Sequence, residues 1–159
     1  MNKKIPLSGL LAAFALACLL GGCSGPSLVL SVASQPNVNP DHSGRPSPVL
    51  VTLYELRGEL AFKQADFPSL FANPVQTLGA DLVFMTELVF VPGEARRVEF
   101  QPHADARFVG VAAEFRQMER ALWRMAKPMN PEKRNILALE LNDVSLLAVP
   151  EEAAAKWSP

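Results

Sequence analysis

Residues 48–56, PVLVTLYEL, decide how this chain folds. Val49, Val51 and Leu53 fall on one side of an extended segment and Thr52 and Tyr54 on the other, and the pattern breaks at Arg57-Gly58. A period of two predicts a β-strand from Val49 to Leu56 with Val49, Val51 and Leu53 facing the core. Upstream, residues 34–48, SQPNVNPDHSGRPSP, hold four prolines, two asparagines and a glycine in fifteen positions. This is a loop. Connections inside compact domains run to about four to six residues, and longer ones tend to be functional or disordered. Residues that preset φ or cap local turns let such a loop project from the body at little ordering cost. Before it, Ser27 to Ala33 alternates Leu28, Leu30 and Val32 against Val29, Ser31 and Ala33, which predicts the first strand.

Downstream of Leu56 the spacing changes. Phe62, Asp66, Phe67, Leu70 and Phe71 fit a short helix between Leu60 and Asn73, with Asp66 as N-cap, Pro68 in the first turn and Pro74 as the stop. So short a helix is marginal alone, so Phe67, Leu70 and Phe71 are expected to pin it to the strands. Leu82 to Val91 is apolar on both faces apart from Thr86 and Glu87, and predicts a central strand covered on both sides. Pro92-Gly93 is a turn, and Glu94 to Phe100 alternates to complete a hairpin with one wet face. Phe108 to Phe115 aligns Val109, Val111, Ala113 and Phe115, leaving Gly110 on the opposite face where another backbone can approach. Gln117 to Lys127 fits a helical turn or a strand extension. Asn135 to Asn142 alternates through Leu137, Leu139 and Leu141, and an Asn142-Asp143 turn leads to a last strand at Val144 to Val149. The tail from Glu151 is expected to be loosely held or a short capping turn. About seven strands at short spacing with one small helix make an all-β sandwich of two packed sheets.

The N-terminus reads as an export signal. Lys3 and Lys4 precede an apolar core from Leu7 to Leu20 and the small residues Gly21 and Gly22. At roughly 14 residues that core is shorter than the ~20 of a permanent membrane span. Leu20-Gly21-Gly22-Cys23 resembles the lipobox of bacterial lipoproteins, in which Cys23 becomes the lipidated first residue of the mature chain. The organisation is then a signal peptide over 1–22, a lipidated N-terminus and short linker over 23–26, a sandwich over 27–150 and a tail over 151–159. Removing residues 1–22 from the 159 leaves 137, enough for one domain with a real core.

Composition narrows the chemistry. Lys3 and Lys4 leave with the signal, so 13 of the 15 basic residues remain against 16 acidic ones, formally −3, which argues against a nucleic-acid partner. Cys18 lies in the signal and Cys23 takes lipid, so the domain has no thiols for a disulfide or a cysteine zinc site. His42, in the long loop, and His103, after Pro102, are the only histidines, and both read as solvated. Neither a Gly-x-Ser-x-Gly elbow nor a phosphate-binding Gly-rich loop is present. No metal, no cofactor beyond the lipid on Cys23 and no catalysis are expected. Arg116, Arg120, Trp123, Arg124 and Lys127 form a cationic cluster with an aromatic, either a partner patch or a solvated edge with Trp123 over the core.

A lipobox, a strand, a polar loop, then Pro48-Val49-Leu50-Val51-Thr52-Leu53-Tyr54-Glu55-Leu56, Ala65-Asp66-Phe67, Leu78-Gly79, Pro92-Gly93-Glu94 and Gly110-Val111-Ala112-Ala113-Glu114-Phe115-Arg116 resemble, in this order and spacing, the TssJ (SciN/VasD) lipoproteins of type VI secretion systems. The resemblance implies a transthyretin-like sandwich without enzymatic activity, held by Cys23 in the outer membrane and facing the periplasm. It implies a partner, the periplasmic C-terminal domain of the TssM-like inner-membrane subunit, contacted through the loop between the first two strands. By position, the contacting residues are Gln35, Asn37, Asn39, Pro40, Asp41, His42, Ser43, Gly44 and Arg45. Ser24 is not the aspartate that retains enteric lipoproteins in the inner membrane, which is consistent with outer-membrane sorting. Another class of function is a lipoprotein that binds a small ligand or glycan through its sandwich loops, using Trp123 and Trp157 as platforms.

Overall fold

The computed structural model describes residues 25–157, so the signal peptide and Cys23 lie outside the described residues. Seven segments read as extended form strands, and an eighth, β6, arises in the segment left open between helical turn and strand: β1 (Ser27–Ser34), β2 (Val49–Leu56), β3 (Leu82–Phe90), β4 (Ala95–Phe100), β5 (Phe108–Glu114), β6 (Arg124–Pro128), β7 (Arg134–Asn142) and β8 (Ser145–Ala148). They build two four-stranded sheets, ordered β4-β1-β7-β8 and β3-β2-β5-β6. All pairings between these strands are antiparallel except β1 with β7, which run parallel with Leu28 opposite Asn135 and Val32 opposite Leu139; an isolated bridge between Leu122 and Ser145 is also parallel.

The main core lies between the sheets. Leu28, Leu30 and Val32 of β1 and Leu137, Leu139 and Leu141 of β7 meet Val49, Val51 and Leu53 of β2 and Val109, Val111 and Ala113 of β5. A second cluster covers the outer face of the β2 sheet. There Tyr54, Leu56 and Ala112 pack under Phe62, Leu70 and Leu78 from three short helices, α1 (Leu60–Gln64), α2 (Phe67–Ala72) and α3 (Pro74–Leu78). Strand β2 is therefore buried on both sides. Asp66 caps α2 as predicted, accepting from the N–H of Ser69 at 2.8 Å. Pro74 ends the run at Ala72 and also opens α3, because a proline N–H is not needed in a first turn.

Three expectations need correction. Strand β3 is an edge, not a central strand, and its apolar residues Phe84 and Val89 stay 43% and 53% exposed. Pro92-Gly93 does reverse the chain, with Gly93 at φ +78, but it sends β3 and β4 into different sheets rather than pairing them as a hairpin. Gly110 receives a ring rather than a backbone: a Cβ there would stand 3.0 Å from Phe62. The undecided segment contains both alternatives, a 3-10 turn at Met118–Arg120 and then β6. Beyond β8 a short helix, α4 (Glu151–Ala154), packs on β7 and β1, so this part of the tail is held.

Candidate functional site

The loop between β1 and β2 closes one end of the sandwich. Its one aliphatic residue, Val38, is fully buried in the main core and pulls the polar stretch back onto the body. The loop therefore does not project freely. Backbone bonds fasten it: Gln35 N–H to the carbonyl of Leu141 at 2.8 Å, Asn39 N–H to that of Asp143 at 2.6 Å, and Ser47 N–H to that of Val38 at 3.1 Å.

Asn39 sits at φ +51 and is 3% exposed. Its amide works in two directions, donating from Nδ2 to the carbonyl of Pro48 at 2.8 Å and accepting at Oδ1 from the N–H of Arg116 at 2.7 Å. Asparagine suits both duties, since it tolerates the left-handed region and carries a donor and an acceptor. Asn39 is thus turned inward, which takes it out of the set of side chains a partner can touch.

Beyond Asn39 the tip is a second braced unit. Asp41 Oδ1 accepts from the N–H groups of Ser43 and Arg45 at 2.8 and 3.0 Å, and Oδ2 takes the Arg45 guanidinium at 2.8 Å. The Arg45 N–H leads in holding the Asp41 carboxyl below its ordinary range, joined by the Ser43 N–H and the Arg45 side chain and opposed by lost hydration. Gly44 at φ +76 permits the turn. Asn37, His42, Ser43, Gly44 and Arg45 stand exposed, while Gln35, Pro40 and Asp41 are half-buried. Pro40, Asp41 and His42 line an open cleft whose other wall is Arg116 and Gln117. Sequence reading placed Arg116 in the cationic cluster rather than beside the loop and did not single out Gln117, since both reach the site only through the packing of β5; the lone Val38 in a polar run was the one available signal for the inward fold.

The cationic cluster does not form one patch. Arg124 donates to the carbonyls of Phe62, at 2.9 Å, and Ala65, closing the end of α1, and its guanidinium lies 4.4 Å from the Trp123 ring centroid. Trp123 meets Phe67 edge-on at 5.5 Å. Arg116 lies by the loop and Lys127 pairs with Val109 near the other end of the sheet. His103 is not simply solvated: its N–H donates to Oε2 of the buried Glu55 at 2.7 Å, with Nδ1 3.1 Å from the same oxygen. Trp157 follows α4, which packs on β7 and β1, whereas Trp123 packs against Phe67 and Phe71 of α2, and no aromatic contact joins the two tryptophans among the described residues. No helix among the described residues is long and apolar enough to cross a membrane.

A two-sheet sandwich with helices on one face and a braced polar loop at one end defines a small β-sandwich module. The chain belongs to the type VI secretion lipoprotein family (VasD, EvfM, TssJ), whose model matches residues 26–144. It is similar to the type VI lipoprotein TssJ1 of Pseudomonas aeruginosa, at 33% identity, covering 79% of this chain and 98% of that one, with a TM-score of 0.74. It shares its fold with Serratia marcescens Lip, a membrane-bound component of the type VI secretion system, at 23% identity, 79% and 97% coverage and a TM-score of 0.74. It also shares its fold with a chain in the structure described as the type VI protein TssM C-terminal domain from EAEC, at 24% identity, 78% and 98% coverage and a TM-score of 0.67. No curated protein matches the sequence.

Proposed function

We propose that this lipoprotein anchors a type VI secretion trans-envelope complex to the outer membrane, without catalysis of its own, by binding the periplasmic C-terminal domain of a TssM-like subunit through the β1–β2 loop. The observation that carries the reading is the pre-built loop: Val38, Asn39 and Asp41 hold the tip so that exposed Asn37, His42 and Arg45 are already positioned. A preorganised loop loses little freedom on docking, so a modest contact suffices. Lipid on Cys23 confines the domain to the membrane plane and raises its effective concentration near a membrane-bound partner. The tether enters at Ser27 and the loop leaves at Ser34, so β1, at ~3.3 Å per residue, sets them about 23 Å apart. That spacing favours presenting the loop away from the bilayer.

The test is the affinity of soluble residues 24–159, which contain every described element, for the periplasmic C-terminal domain of the TssM-like protein of the same strain. One variant replaces only residues 42–46 with Gly-Ser, sparing Val38, Asn39 and Asp41 so that the fold survives. Loss of binding with an unchanged melting curve supports the loop as the contact. Undiminished binding by the variant would move the interface elsewhere, and no binding by the native domain would end the reading.

A further inference from the structure

The three helices cover only half of the outer face of the β2 sheet. Register defines the rest: Val89 of β3, Leu50 of β2 and Glu114 of β5 share one row, and in the next row Glu87 is exposed while Thr52 and Ala112 are buried. Ala112, and below it Tyr54 and Met85 of the following row, belong to the cluster under the helices. Above, Val89 and Val91 remain 53% and 50% exposed. This open half adjoins the loop, since Leu50 follows Pro48 by two residues and Glu114 precedes the Asn39-bonded Arg116 by two.

Acids dominate its charge: Arg124, which register places beyond Ala112 in the Glu87 row, is taken up by the carbonyls of Phe62 and Ala65 and by the Trp123 ring. Among the described residues neither Glu87 nor Glu114 forms an ion pair, and they sit diagonally across Leu50 and Thr52. Lost hydration, and then the charge of Glu87, push the Glu114 carboxyl above its usual value. The hydrogen-bonding edge of β3 at this corner is already occupied: Arg96 Nη2 donates to the carbonyl of Val89, and Glu94 Oε2 accepts from the N–H of Val91 at 2.9 Å. An added strand would find those groups taken, so a partner meets side chains here rather than backbone.

We infer that the docked subunit extends from the loop onto this face, placing a lysine or arginine flanked by apolar side chains between Glu87 and Glu114. The inference rests on the docking reading above and names a second contact for the same partner. A cation between two like charges relieves their repulsion and gains both attractions, and the aliphatic stem beside it covers Leu50 and Val89.

The experiment titrates the TssM-like C-terminal domain into native residues 24–159 and into the E87Q/E114Q double variant, at low salt and at about 0.5 M, where screening is strong. Removing two repelling acids from a surface leaves the fold intact, and a melting curve checks it. At low salt the double variant should bind about tenfold more weakly, with the gap closing at high salt. E87K should weaken binding further. Equal affinity of native and double variant at both salts would overturn the inference while leaving the loop contact standing. If the native domain fails to bind, the docking reading falls and takes this one with it.

Discussion

Replacing Asn39 with alanine removes both arms of a clamp at once. The carbonyl of Pro48 and the N–H of Arg116 lose their partners in a site 3% exposed, and alanine must hold φ +51 without a local hydrogen bond. A cost of about 1–3 kcal/mol is expected from the unmade bonds, read as a lower urea midpoint with an unchanged slope. Tyr54, the single tyrosine of the chain, offers a second readout. Burial between β2 and the helices pushes its phenol up from 10.0 to about 12. The neutral form is the one the fold favours, so its contribution is constant below pH 10 and is lost as pH rises from there through 12. Absorbance of the tyrosinate should show no ionisation of the folded protein at pH 10; a midpoint there with native circular dichroism would contradict the burial.

Among the elements, α1 depends on what β5 omits. Phe62 lies over Gly110, with ring atoms 3.0 and 3.1 Å from where a Cβ would be, and against Tyr54 at 5.3 Å between centroids. Gly110→Ala should therefore cost about 1–3 kcal/mol by lifting the ring. Melting of this variant, with the β-sheet spectrum retained below the midpoint, is the check. The same region shows what was legible in sequence. The bounds of β2 and the capping role of Asp66 follow from local pattern alone. The role of Gly110 does not, because a missing side chain says that something approaches without saying what. Strand β3 misled for a similar reason: an apolar run fits a central strand, or an edge strand half-roofed by helices. The Pro-Gly turn encodes a reversal, but the partner of β4 is β1, more than sixty residues earlier, and a local turn carries no record of it.

For the whole molecule, the fold class was readable because alternation and turns are local, whereas the parallel pairing of β1 with β7 joins segments more than a hundred residues apart and leaves no local trace. The candidate site was half legible. Its place between β1 and β2 and its exposed tip came from composition, but the inward Asn39 and the wall formed by Arg116 and Gln117 depend on tertiary packing. Anchoring belongs at this scale too. Cys23→Ser should yield a folded domain that fractionates away from the outer membrane and no longer supports secretion, and its persistence in that fraction would refute lipid tethering.

Strand β1 lies inside its sheet, hydrogen-bonded to β4 on one side and β7 on the other, with the proposed tether before it and the proposed docking loop after it. Any tension between anchor and docked partner consequently runs along its axis. Both flanking ladders are then loaded in shear, all rungs sharing the force, rather than peeled one rung at a time from an edge. Under the proposed anchoring the strand would act as a tie-rod, loaded along the line between membrane and partner.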